Sequence, residues 1–360
     1  MELRPPQPRP GHPTMVHSTR PTAPSQMRAI RNRFAQGDGL PFADALPESS
    51  IEPAIQEHGG GWRDEVFTPV VTPWAFLTQV ICPVGCCRLA VARVLAWLVV
   101  RGEPPCGPGT GGYCKPAPGC PRAIPQLARH TGRGLHDRAP GNWRWNGRRV
   151  LIADGTTVTM PDTPKNQNEY PHPGSQADGI GFPQIRLVAL FCLACGAVLD
   201  AALGPSRGKQ SGETALRRQI AGSVGSGTVL LADRYFGGWF DLVLWRERGI
   251  DVVTRIHQKR ATDFRRGRRL GRDDHVVRWP KGQRPEWMDR DTYVRLPDEL
   301  DIREVRVRVA QRGFRTRVLV VATTLTDPSI RATDLGERYR QRWSIEVDLR
   351  HEPAEVVPFG

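Results

Sequence analysis

The spacing of apolar residues changes several times along the chain, and the changes predict different kinds of element. From Met27 to about Gly102 apolar positions recur at three and four residues. The clearest case is Cys86 to Val100, where Val91, Val94, Leu95 and Leu98 share one face, which predicts a helical region. A stretch rich in Gly and Pro from Arg101 to Pro121 reads as a linker or surface loop, followed by a helix at about Ile124 to His136. From Arg149 the pattern becomes short β-prone runs bounded by Gly and Pro: Val150-Leu-Ile-Ala-Asp154, Ile185 to Phe191 and Ala197 to Leu203. Strand patterns at Thr228 to Asp233 and Asp251 to Ile256 then alternate with helical ones at Gly212 to about Ile220 and Phe240 to Arg248, which indicates an α/β core. Between Gln258 and about Leu300 the period disappears and basic residues dominate, so this segment reads as an insertion. Alternating strands resume at Ile302 to Ala310 and Arg315 to Ala322. A helix at Ala332 to Arg350 then sets Leu335, Tyr339, Arg342 and Glu346 on one face.

Composition adds a partner class to this outline. The 51 Lys and Arg residues outnumber 37 Asp and Glu, giving a net charge of +14 spread along the chain, and a polyanion is the natural partner of such a surface. Residues 1–26 hold seven prolines and no apolar run, so they read as a disordered extension rather than an export signal. The longest apolar segment, Leu89 to Val100, is interrupted by Arg93 and falls short of the roughly 20 residues that a membrane span needs. Eight cysteines are too sparse for a disulfide framework, so reduced thiols and a cytoplasmic location are expected. Cys192 and Cys195 form a C-x-x-C, one pair short of a structural zinc set. The resulting division is 1–26 extension, 27–148 helical region expected to bind DNA, and 149–360 α/β domain with its insertion at about 258–300.

Three carboxylates at element ends carry the candidate chemistry. Asp154 and Asp233 each close an apolar strand, and Glu346 lies on the last helix. A carboxylate at the carboxyl end of a buried strand points into the crevice where open α/β sheets bind ligands. Hard oxygen donors converging there suit Mg²⁺ or Mn²⁺. A pair of such ions can activate a water or a DNA 3′-hydroxyl and stabilise the leaving oxygen of an in-line phosphoryl transfer.

The words around these carboxylates resemble those of the DDE transposases of the insertion-sequence-4 group. The resemblance covers most of the chain. It rests on Ile152-Ala-Asp-Gly-Thr-Thr157, Leu230-Leu-Ala-Asp-Arg-Tyr-Phe236 and Tyr339-Arg-Gln-Arg-Trp-Ser-Ile-Glu346, supported by Met160-Pro-Asp-Thr-Pro164, Gly179-Ile-Gly-Phe-Pro183 and Gly212-Glu-Thr214. It implies a ribonuclease-H-like catalytic core and cut-and-paste transposition: binding of inverted-repeat ends in double-stranded DNA, metal-dependent strand hydrolysis, and transfer to target DNA by a chain that is a homodimer on DNA and associates with the nucleoid. Asp154, Asp233 and Glu346 would be the catalytic metal ligands, and Tyr339 and Arg342 would contact the DNA end.

The group's pattern continues to a lysine seven positions past the glutamate, where this sequence has Pro353, a helix breaker. Truncation or a frameshift of the gene is the expectation this raises, with impaired cleavage as its consequence. The rival reading is a non-catalytic DNA-binding remnant that inhibits an intact transposase; a third is a nuclease that does not join strands. In the insertion, Arg260, Arg265, Arg266, Arg268, Arg269 and Arg272 read as a run that tracks phosphates, with a solvated loop as the alternative. Trp279 and Trp287 read equally well as rings that stack on an unpaired base or as members of the insert's own small core.

Overall fold

The computed structural model describes residues 45–58, 66–81, 85–103, 107–114, 120–174, 181–208, 211–309 and 317–350. The expected extension at 1–26 and Pro353 lie outside them. The first five elements are helices: α1 (Glu48–Glu57), α2 (Val71–Ile81), α3 (Cys87–Val100), the single turn α4 (Gly111–Cys114) and α5 (Cys120–Arg138). Their apolar stripes meet in two small cores. Ile51 and Ile55 of α1 close on Trp74 of α2 and Leu127 of α5, while Ala90, Val91 and Val94 of α3 pack against Ala75 and Tyr113.

The rest of the chain builds one nine-stranded mixed sheet. Its elements are β1 (Val150–Thr159), α6 (Pro164–Glu169), β2 (Gln184–Cys192), β3 (Val198–Pro205), α7 (Glu213–Gln219), β4 (Val229–Ala232), α8 (Trp239–Glu247), β5 (Asp251–Arg255), β6 (Arg268–Gly271), β7 (Asp274–Pro280), α9 (Arg290–Arg295), β8 (Glu299–Val309), β9 (Arg317–Thr323) and α10 (Ala332–Arg350). The strand order is β3-β2-β1-β4-β5-β9-β8-β7-β6, with β1, β4 and β5 mutually parallel and the other pairings antiparallel. This mixed α/β architecture is consistent with a ribonuclease-H-like core.

The four residues of β4 are all fully buried because helices cover both faces of the parallel centre. On one face Leu151, Leu230 and Val252 pack against Leu216 of α7 and Leu242 of α8. On the other Ile152, Leu231, Val253 and Val321 receive Leu335 and Tyr339 of α10. Burying such a side chain contributes about 2 kcal/mol, so these two residues seat α10 on the sheet.

The basic segment differs from the expectation of an insertion without regular structure. Strands β6 and β7 and helix α9 lie within it, and β7 pairs with β8 continuously from Asp274↔Val305 to Pro280↔Glu299. The alternation was hidden because some of its inward positions are polar. Asp274 and His275 are buried, and each has a charged partner on β8. Arg303 donates to both Asp274 oxygens at 2.8 and 2.6 Å, and Glu304 faces His275 at 3.1 Å. Arg303 also donates to the carbonyl oxygens of Asp327 and Ile330 at 3.0 and 2.8 Å, which ties down the turn that leads into α10.

Helix α5 lies across β3 so closely that a Cβ on Gly132 would stand 1.7 Å from the Val198 carbonyl oxygen. Backbone cannot yield there as a flexible side chain would. Gly132→Ala is therefore expected to cost about 3 kcal/mol, the upper end of ordinary overpacking, measured by denaturant unfolding. Loss of less than about 0.5 kcal/mol would mean that the helix and strand are not in this contact.

Candidate functional site

The parallel register of β1 and β4 runs from Val150↔Val229 to Ala153↔Ala232, so the next residues on each strand, Asp154 and Asp233, are neighbours. Strand β4 stops there because Asp233 leads into a 3-10 turn over Arg234–Phe236. Strand β1 continues along β2, from Asp154↔Ala189 to Thr159↔Gln184. The two aspartates thus mark the point where the parallel centre of the sheet opens.

Alternation along β1 puts Asp154 on the same face as Ile152, beneath α10. It is only 8% exposed. Its Oδ1 accepts the Gly155 amide at 3.0 Å and its Oδ2 lies 3.4 Å from Nη1 of Arg342. Asp233 is more accessible, and its side chain does not cap the turn that follows. Its carbonyl oxygen accepts the Thr254 hydroxyl at 2.9 Å, which fastens the end of β4 to β5.

Helix α10 brings the cationic and phenolic partners. Tyr339 and Arg342 are 0% and 3% exposed, at the three-residue spacing that puts both on the inner side of the helix. Burial pushes the Tyr339 phenol up to about 12; Arg342 and Arg255 oppose that rise, and the Asp233 carboxylate adds to it. Tyr339 is therefore neutral at physiological pH. Glu346 follows Arg342 by four residues and Tyr339 by seven, on the same helix; its side chain lies outside the description.

Asp154, Asp233, Tyr339 and Arg342 thus come together, and Glu346 is on the helix that covers them. The four insert arginines lie apart from this cluster. Arg265, Arg266, Arg268 and Arg269 are exposed, on the arm that leaves the carboxyl end of β5 beside Asp233. The root of the arm is held at the rim of the site: Arg234 donates to Gln258 at 3.1 Å, and the exposed Tyr235 ring meets His257 edge-on at 6.2 Å. Trp279 is buried, donates to Glu304 at 2.8 Å and carries the Arg260 guanidinium 3.8 Å over its ring; it sits in the same core as Trp239 and Leu242 of α8, not in a separate core of the insert. Trp287 remains partly exposed, stacked under Arg218 at 3.6 Å.

Two supporting residues escaped the sequence reading. Glu213 packs against the residue after Asp154, since a Cβ on Gly155 would lie 3.0 Å from its carboxyl carbon. Arg217 is buried between Phe236 at 4.9 Å and Trp245 at 5.5 Å, and its Nη2 lies 2.8 Å from Asp241. Burial pulls its guanidinium down and Asp241 opposes that. Phe236 closes the turn that begins at Asp233, so Arg217 packs against that turn through the Phe236 ring. The signal for Glu213 was present in Gly212-Glu-Thr214; an arginine inside an apolar helix face gave none for Arg217.

The donors suit a hard divalent cation. Asp154 and Asp233 offer carboxylate oxygens from adjacent strands, and a third carboxylate residue, Glu346, is carried on α10. Among the described residues no group of three or more His, Cys, Asp and Glu could hold a metal ion. Also among these residues, no helix is long and apolar enough to cross a membrane.

The family described as "Transposase DDE domain" matches residues 145–351, more than half of the chain. Transposase InsG for insertion sequence element IS4, from Escherichia coli (strain K12), is 25% identical over 232 residues, which cover 63% of this chain. The chain spans about half the length of that curated relative, 49%.

The Asp154–Arg342 pair makes a direct stability statement. Arg342→Met should cost roughly 3 kcal/mol, because it strands a buried carboxylate beside a second one, whereas Asp154→Asn should cost less than half of that. Equilibrium unfolding of the two variants checks the order; an Arg342→Met protein as stable as the parent would show that the pair is not formed.

Proposed function

Because the chain belongs to the transposase DDE-domain family, we propose that it cuts DNA at the inverted-repeat ends of an insertion sequence and joins the freed 3′-hydroxyl to target DNA. The observation that carries this reading is the side-by-side placement of Asp154 and Asp233 under the helix that bears Arg342 and Glu346. Asp154, Asp233 and Glu346 are the residues that would hold Mg²⁺ or Mn²⁺. When bound, such ions supply a nucleophile at neutral pH and charge stabilisation at the leaving oxygen.

The remaining roles belong to the chain itself. Arg342 balances the charge of Asp154 at the point that a scissile phosphate would enter. Tyr339 keeps its proton and so can act only as a neutral hydroxyl. Both side chains are buried, so they would meet DNA where the cut end enters the crevice and not along the duplex outside it. The exposed arginines of the arm would follow the phosphates leading to that point. Two ends have to be cut and joined, so a pair of chains on DNA is the assembly this function calls for.

The test uses the purified chain, Mg²⁺ and a duplex carrying the inverted repeats that flank its coding sequence. Asp154→Ala, Asp233→Ala and Glu346→Ala should each lower cleavage by roughly a thousand-fold or more, while end binding stays within a few-fold of the parent. Parent-level cutting by Asp233→Ala would sink the assignment. A parent chain that binds the ends and leaves them intact in Mg²⁺ would be a non-catalytic occupant of transposon ends.

A separate expectation concerns the arm. Replacing Arg265, Arg266, Arg268 and Arg269 by Ala should flatten the slope of log K against log salt by about 2 to 4, near 0.9 for each phosphate no longer contacted. An unchanged slope would make the arm a solvated surface.

A further inference from the structure

Strand β7 and the arm before it enclose a polar cluster that lies apart from the carboxylates. His275 is 1% exposed and pairs across strands with Glu304, itself 4% exposed. Its Nδ1 lies 2.7 Å from the carbonyl oxygen of Arg266, and its Nε2 lies 3.1 Å from Oε2 of Glu304. A carbonyl oxygen and a carboxylate oxygen only accept. A neutral imidazole has one N–H and one lone pair, so in that form it would turn a lone pair onto one of these oxygens. The geometry calls for a proton on both nitrogens. The shared proton belongs on His275 rather than on Glu304, because the other Glu304 oxygen already accepts the Trp279 N–H at 2.8 Å and the Arg260 guanidinium lies over the Trp279 ring at 3.8 Å.

The other groups packed on this ring are accounted for. From the arm, Phe264 stacks on it at 4.8 Å and is covered in turn by Arg306 of β8 at 4.8 Å. From β7 itself, the Asp274 carboxylate is taken up by Arg303. The next residue of the arm, Gly267, has φ +75° and runs so close to β7 that a Cβ would stand 2.2 Å from the Val276 carbonyl oxygen. The backbone at Arg266 is therefore held from beside and from below, while the side chains of Arg265 and Arg266 are 90% and 83% exposed.

We propose that His275, as an imidazolium clamped between Glu304 and the Arg266 carbonyl, is the positioning residue that fixes the arginine arm and so aims Arg265 and Arg266 at DNA phosphates. The proposal rests on the reading of the arm as a DNA contact.

The first measurement needs no variant of uncertain folding: nitrogen NMR of the full chain carrying ¹⁵N-histidine, at about pH 7, where an ordinary exposed imidazole is largely neutral. Of the nine histidines, one, identified by its loss in His275→Gln, should show two protonated nitrogens. A single protonated nitrogen there overturns the proposal. The second measurement is binding to a duplex oligonucleotide of arbitrary sequence across a salt series. His275→Gln and Glu304→Gln should each lower affinity roughly ten-fold and reduce the salt slope by about 1 to 2. Adding Arg265→Ala and Arg266→Ala to His275→Gln should then lower it little further. Additive losses overturn the positioning role, because a merely structural histidine would weaken the protein without passing through those two arginines. Binding that is unchanged by the two arginine substitutions alone would remove the premise about the arm, while the NMR spectrum would still decide the clamp.

Discussion

Two carboxylates at the ends of adjacent buried strands repel each other, and the site depends on how that repulsion is met. Asp154 is too buried for water to screen its charge, and α10 supplies the compensation with Arg342, 3.4 Å away and itself 3% exposed. Truncating one member of such a pair costs several kcal/mol. The aspartates, the arginine and the helix therefore stand or fall as one arrangement. Tyr339 extends it: with its proton retained, it adds no charge next to Asp233.

The position of α10 is in turn set from two directions. Leu335 and Tyr339 seat it on the face of the sheet formed by Ile152, Leu231 and Val253. Arg303, fully paired with Asp274, fixes the turn just before it through two backbone carbonyls. Asp274 is in the basic segment, so this segment is a structural part of the face that carries Asp154 and α10. A change on β7 can reach Arg342 through one buried arginine, with no contact to either aspartate.

Much of this was legible from the sequence, and the exceptions have physical causes. The parallel strands are continuous apolar runs, so β4 and β5 were placed within a residue or two, and the carboxylates were found because each interrupts or ends such a run. Helix α10 was legible from its spacing alone. Strand β7 was missed because its buried positions include Asp274 and His275, whose burial depends on Arg303 and Glu304 nearly thirty residues later. The pairing of Arg342 with Asp154 spans 188 residues, and nothing local in a helix bearing Tyr339 and Arg342 tells an inward guanidinium from an outward one. The two tryptophans of the insert could not be separated by sequence for the same reason. Trp279 has Glu304 within reach of its N–H, whereas Trp287 lies against the Arg218 guanidinium and the edge of Phe240.

The same polar pairs that hid the strand also explain why a segment this basic can be ordered at all. Arginines on a free loop repel each other and lose conformational freedom when they gather on a phosphate backbone, which weakens the net gain from each contact. Here the arm is tied at its root by Arg234 and Gln258, and near its tip by His275 and the close passage at Gly267. Asp263 lowers the local repulsion by accepting from Arg265, which holds the Asp263 carboxyl down to about 2. The arginines that remain exposed are thus presented from a backbone whose ordering cost has already been met during folding. In the proposed function such a surface, beginning beside Asp233, would hold a DNA strand in register with the carboxylates through phosphate contacts, which carry no sequence information, so the selection of sequence would come from base contacts elsewhere or from the shape of the DNA.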